Sequence, residues 1–147
     1  MLANAHCESV DVVDVTDAIV HEAIHALLFM QERRKRWVLD EKLYDSTPRS
    51  TSPWTGRELP LRAFLQANFV WYGLLNFWLK THSATLKTPV AWAPLERIRS
   101  KISAASVGFL GVSLVDSVAE FKSEISTDIL AAIDVMQSRV RVAFSRV

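Results

Sequence analysis

The chain has a single cysteine, Cys7, so no intrachain disulfide can staple it, and no neighbouring thiol or motif supports a cysteine nucleophile. Four glycines and five prolines in 147 residues are too few for a collagenous, disordered or many-turned all-β chain. Charge of one sign is also missing. Seventeen basic and 16 acidic residues leave a net charge of +1, without the basic excess on which nucleic-acid or anionic-membrane binding rests. No basic leader precedes an apolar signal region, which makes a cytoplasmic address the default expectation. Long apolar runs are absent as well. Leu59 to Leu79 is broken by Arg62, Gln66, Asn68 and Asn76, and Ile102 to Val115 falls well short of the roughly 20 residues a membrane span needs.

What is present is a half-hydrophobic chain with 22% charged residues of both signs interspersed, which fits one compact domain over residues 1–147. Helical periodicity dominates, so the expected class is mainly α: a helical domain with its motif on the first long helix and a long apolar second helix. The first helix is expected to begin near Asp14 or Thr16, with an apolar face of Ile19, Val20, Ala23, Ile24, Leu27 and Leu28. It ends in Arg33, Arg34, Lys35 and Arg36, a run that suits the negative end of a helix dipole and reads as a solvated helix end. Val10, Val12, Val13 and Val15 form either a short strand or the approach to that helix. Tyr44 to Arg57 reads as a long loop. Pro60 then opens the apolar helix to about His82, and two further helical segments run from Pro94 to Leu110 and from Ser113 to Phe144, with a weak Gly108/Gly111 interruption.

One constellation carries chemistry. His21-Glu22-Ala23-Ile24-His25 is an HExxH motif within a credible helix, and only four histidines occur in the whole chain. Residues four apart lie one turn above each other, so both imidazoles can reach one divalent metal. Glu22, about 100° around the helix, can approach a metal-bound water without being a ligand. The competing reading is two ordinary hydrogen-bonded helix histidines and an exposed ion pair. A third ligand is not selected by spacing. The metzincin extension fails because the text after His25 is ALLFMQ, and Glu58, Glu41, Asp45, His82 and Asp116 are all candidate donors.

Taken together, HEAIH, YDSTPRSTSPW and LPLRAFLQANFVWYGLLNFW resemble the HExxH-motif proteins of ribosomal peptide natural-product pathways, the α-ketoglutarate-type peptide β-hydroxylases. The resemblance runs from about Val20 to Lys80 and rests on Pro53-Trp54, Pro60-Leu61 and Phe77-Trp78 after the motif. It implies non-haem iron(II), α-ketoglutarate and oxygen acting on a peptide substrate, chemistry that imidazole ligands and open coordination positions suit. It implies His21 and His25 as iron ligands and Glu22 beside the first shell or a bound water. The family's third-ligand histidine aligns with Gln66, a neutral amide and a departure. A family arginine after Pro-Trp is replaced by Thr55, which leaves Arg57 or Arg62 to grip the cosubstrate carboxylate. Only twenty residues precede His21, fewer than in family members, which implies a shortened version, or a partner subunit or missing N-terminal segment that completes the pocket.

Several other features have plain explanations. Phe69, Trp71, Leu74, Phe77 and Trp78 read as core. Asn68, Tyr72 and Asn76 read as a polar stripe bonding a neighbouring helix. His82 reads as a surface or capping residue. Two other functions stand beside the hydroxylase: a zinc hydrolase with Glu22 as general base, and a degenerate, non-catalytic helical domain that binds a peptide or partner through its apolar helices.

Overall fold

A computed structural model describes residues 11–88 and 93–145; Cys7, Val10 and Pro89 lie outside them. The described chain is mainly helical. Helix α1 spans Val12–Arg34 and starts earlier than the sequence suggests. Asp11 holds an extended conformation and accepts the Val13 N–H at 2.7 Å, satisfying one of the otherwise orphaned first-turn donors. Val12, Val13 and Val15 are therefore first-turn helix residues and not a strand.

The stretch expected to be an irregular loop is a hairpin. A 3-10 turn at Glu41–Tyr44, capped by the Asp40 carboxylate, leads into strand β1 (Pro48–Thr51), which pairs antiparallel with β2 (Glu58–Pro60). Gly56, at φ 68°, supplies the left-handed turn residue that closes it. Its N–H donates to the Ser52 carbonyl, and the Ser52 N–H donates to the Arg57 carbonyl, each at 2.8 Å. Alternation was too short, and Ser and Thr too many, for these strands to register in the sequence.

Helix α2 spans Leu61–Lys87, five residues beyond the expected end at His82, with Pro60 at its N-cap. No helix among the described residues is long and apolar enough to cross a membrane. Helix α3 spans Leu95–Leu110 and α4 spans Thr127–Phe144. The single segment expected from Ser113 to Phe144 is split. A 3-10 stretch at Asp116–Glu124 comes first, and Ile125 then bridges to Val38 before α4 begins. Gly108 lies inside α3, while Gly111 is its C-cap.

The α3 end is closed from α4. The Gln137 amide donates to the carbonyls of Phe109 and Val112, at 3.0 and 2.8 Å, and accepts the Leu114 N–H at 2.9 Å. Arg141 adds bonds to the Phe109 and Gly111 carbonyls. These side chains satisfy carbonyls that a helix end otherwise leaves unpaired.

The main core collects Leu61, Phe64, Leu65, Leu74 and Leu75 of α2 with Phe109, Leu114 and Ile133. Leu74 and Trp78 are buried, and Phe69, Trp71 and Phe77 are half-buried against the core, as their spacing predicts. Asn68 and Asn76 do not bond a neighbouring helix. Each amide donates to the carbonyl four residues back on α2, those of Phe64 and Tyr72.

Helix α1 meets this body along a narrow rank. Val20, Ile24 and Leu28 pack inward, whereas Ile19 and Leu27, expected on the same apolar face, are 51% and 61% exposed. Phe29 and Met30 are also more than half exposed. One neighbouring helix covers an arc narrower than the apolar one the sequence offers. Its first turns are held by Val13, buried with Trp78, Ala93 and Ile98, and by polar ties. Arg97 pairs with Asp11 and Asp14, Lys101 with Asp14 and Asp17, and the Trp78 indole donates to Asp17 at 2.6 Å.

Candidate metal centre

The helical spacing of His21 and His25 brings their rings together. The imidazoles stack with centroids 4.8 Å apart and planes 26° from parallel, and their Nε2 atoms stand 2.9 Å apart. That distance is also a hydrogen-bond length, in which one tautomer donates to the other. Both residues are half-buried, and Glu22 is exposed beside them. Burial holds the His25 pKa below the usual imidazole value, and the charge of His21 lowers it further. The Glu22 charge and a hydrogen bond to Gln66 oppose that shift. A lowered pKa favours neutral imidazole, the form that ligates metal.

Gln66 comes from α2, one turn after Arg62, and both reach a residue that the sequence reading missed. Glu32 follows His25 by two turns of α1 and is 8% exposed. Its Oε2 accepts from Arg62 Nε at 2.8 Å, Arg62 Nη2 at 2.5 Å and Gln66 Nε2 at 2.8 Å. Its Oε1 is buried with no partner among the described residues. The Arg62 guanidinium also lies over the Tyr44 ring, 5.8 Å from its centroid, and the Glu32 contact raises the Arg62 pKa. Gln66 therefore donates to a buried carboxylate, and its side chain acts to raise the His25 pKa. The available signal for Glu32 was its i+7 spacing from His25, which places an acid near the histidine face of the same helix. Glu32 further lines a cleft of about 590 Å³ with Arg33, Arg34, Arg36, Glu41 and Tyr44.

The other sequence candidates lie elsewhere. Arg62 is committed to Glu32, so the carboxylate-gripping role assigned to it meets an internal competitor. Arg57 stands exposed at the hairpin turn. Glu41 pairs with Arg36 at 2.8 Å, Asp45 with Arg49 at 3.6 Å, and Glu58 accepts from Thr51. Asp116 is exposed. His82 is half-buried and lines a separate groove with Arg99, Ile102 and Phe144. Among the described residues no group of three or more His, Cys, Asp or Glu could hold a metal ion, so none of these acids, nor His82, completes the histidine pair.

Pro53-Trp54, prominent in the sequence, is a packing element. The Trp54 indole donates to the Ala105 carbonyl at 3.0 Å, stacks on Trp71 at 5.9 Å and meets the edge of Phe109 at 5.0 Å. It sits against Gly108, where an added Cβ would lie 2.3 Å from the ring. The hairpin is thereby pinned to α3, with its second strand leading directly into α2 and Gln66. Comparisons with protein-family models, curated proteins and solved structures yield no match for this chain.

Proposed function

We propose that this chain is a metal-dependent peptide-modifying domain of the non-haem iron, α-ketoglutarate-dependent peptide β-hydroxylase type, with His21, His25 and Gln66 as the metal donors. The observation that carries the reading is the approach of two imidazole Nε2 atoms to 2.9 Å beside an amide side chain. Two imidazole nitrogens this close could ligate one cation. His21, His25 and Gln66 would hold the ion, and a bound iron would supply the oxidising chemistry.

This chain's residues have definable parts in that scheme. His21 and His25 would hold the ion on α1, with Glu22 exposed beside them. Of the two arginines that the sequence offers to a cosubstrate carboxylate, Arg62 is paired to Glu32 and Arg57 stands exposed at the hairpin turn. The exposed apolar residues Ile19, Leu27, Phe29 and Met30 support coverage of α1 by further polypeptide, from an N-terminal segment or a partner subunit.

The test is anaerobic reconstitution with iron(II), measurement of bound metal, and assay of succinate release from α-ketoglutarate. One equivalent of iron, lost in His21→Ala and in His25→Ala, is expected. Unchanged metal content in both variants refutes the assignment. Zinc with peptide-bond cleavage would select the hydrolase with Glu22 as base. A second reading has its own observation: among the described residues no third acidic, thiol or imidazole donor joins the pair, which favours a degenerate, metal-free helical interaction domain, and metal analysis finding no stoichiometric metal would select it.

A further inference from the structure

The groove beside His82 differs in character from the histidine pair, and none of its lining among the described residues comes from α1. It encloses about 530 Å³ between the later part of α2, one side of α3 and the end of α4. Small-molecule sites span about 300 to 1,000 Å³. Arg99, Ser103, Ser106 and Leu110 recur at intervals of four and three residues, so they form one line along α3. Small side chains make the depression: Ser103 and Ser106 on α3, and Ala143 on α4. Leu79, Leu110 and Phe144 wall it. Leu79 and Leu110 are 38% and 45% exposed. A lone exposed leucine is ordinary, whereas two bordering one concave groove leave apolar surface that a ligand can cover.

The groove is polarised along its length. At one end Arg99 Nε donates to His82 Nε2 at 3.4 Å. Leu110 lies about 16 Å further along α3 at the helical rise. Arg97 and Lys101 flank Arg99 in sequence but turn to another side of α3, where Asp11, Asp14 and Asp17 of α1 and its cap hold them. Arg99 has no such partner among the described residues, and no acidic side chain there lines the groove. An apolar channel with an unopposed guanidinium at one end complements an amphipathic anion. The tail displaces water from leucine and phenylalanine, and the head accepts a two-bond fork from arginine.

We propose that this groove binds one free aliphatic monocarboxylic acid, its carboxylate on the terminal NH2 groups of Arg99 and its alkyl chain running past Ser103 and Ser106 toward Leu110. The span of about 16 Å limits the chain to medium length. The proposal is independent of any metal at His21 and His25.

The probe is decanoate, titrated below its micelle-forming concentration into the metal-free full chain by calorimetry, with side-chain NMR to locate it. One saturable site is expected. The resonances of Leu79, Leu110 and Phe144 should shift, and those of Leu27 and Met30 on α1 should not. Each methylene removed, in nonanoate and then octanoate, should weaken binding by up to about fourfold. Decylammonium, with the same tail and the opposite charge, should bind about fivefold more weakly or worse. Arg99→Glu should weaken decanoate by a similar factor and remove that preference. Ala143→Trp, at an exposed helix position, fills the groove and should abolish binding while the helical circular dichroism is kept.

Absence of saturable binding overturns the proposal. So does decanoate affinity that either variant leaves at the wild-type value, or equal affinity for decylammonium, since each marks a nonspecific apolar surface. Sedimentation of the ligand-free protein tests the other occupant, a second copy of the chain. A dimer that Ala143→Trp dissociates makes the groove a subunit contact and overturns the proposal as well. If Ala143→Trp does not fold, Ser103→Trp, exposed on α3, takes its place with the same expectation.

Discussion

Adding one methyl group at Gly108 tests the packing that holds the hairpin to α3. In Gly108→Ala the new Cβ would meet Trp54 Cε2, Cδ2 and Nε1 at 2.3, 2.5 and 2.7 Å. Ordinary contact requires about 3.5 to 4 Å between carbons, so the indole must retreat by more than 1 Å. It cannot do so by a rotamer adjustment at its tip, because it is stacked on Trp71, set against Phe109 and hydrogen-bonded to the Ala105 carbonyl. Alanine gains about 1 kcal/mol of helix propensity over glycine. Against this stand about 1 to 3 kcal/mol of overpacking, about 1 kcal/mol for the indole hydrogen bond and about 1 kcal/mol of aromatic contact. The steric side wins by about 2 to 4 kcal/mol.

Urea denaturation should therefore show Gly108→Ala less stable, and its thermal midpoint should fall by about 4 to 16 °C. The near-ultraviolet circular dichroism of the stacked indoles should weaken in parallel. Gly73→Ala is the internal control. Its Cβ would approach Ile24 Cδ1 at 2.6 Å, but that atom ends a flexible side chain and can move away, so propensity offsets the contact and stability should change by less than about 1 kcal/mol. A Gly108→Ala protein as stable as wild type, with its aromatic signal intact, would refute the reasoning.

Two further predictions concern charge. Arg62→Ala leaves the Glu32 carboxylate buried without its counter-charge. Fully buried pairs broken in this way lose about 3 to 5 kcal/mol, and since the Arg62 side chain is 34% exposed the loss should be nearer about 2 to 3 kcal/mol by urea denaturation, with Glu32→Met in the same background recovering most of it. Asp14 has its pKa lowered by the Lys101 hydrogen bond, with smaller help from Arg97. A carboxylate depressed on folding stabilises above its unfolded pKa of about 3.8 and loses that contribution as pH falls through the folded value. Asp14→Asn should thus lower the urea midpoint at pH 7 and leave it unchanged near pH 2. An equal loss at both pH values would mean that the α1 to α3 ion pairs are not the cause. Lys101, whose pKa is raised by Asp14 and Asp17 against the opposing effect of burial, contributes below its unfolded value and is lost only as pH rises through the folded one.

The class of the fold and the histidine pair were legible because both depend on local periodicity. A 3.6-residue repeat announces α1, α2 and α3, and an i, i+4 spacing on such a helix brings two rings together whatever surrounds them. Other features depended on residues distant in sequence. The strands of the hairpin are three and four residues long, too short for alternation to stand out, and are recognisable only once Pro48 and Thr51 face Pro60 and Glu58. The division of the last segment depends on Val38 pairing with Ile125.

The amino-acid sequence alone determined that two imidazoles share one helical face, because four residues make about one turn. It could not determine that half of the neighbouring apolar face stays exposed, since that depends on how much of α1 the body of the protein can cover. Nor could it show that Arg62, a reasonable partner for a bound carboxylate, already holds one from its own chain. That pairing joins residues 30 positions apart, and only the packing of α1 against α2 brings Glu32, Arg62 and Gln66 within hydrogen-bond reach. Short-range geometry is written in spacing; which polar groups satisfy one another is decided where helices meet.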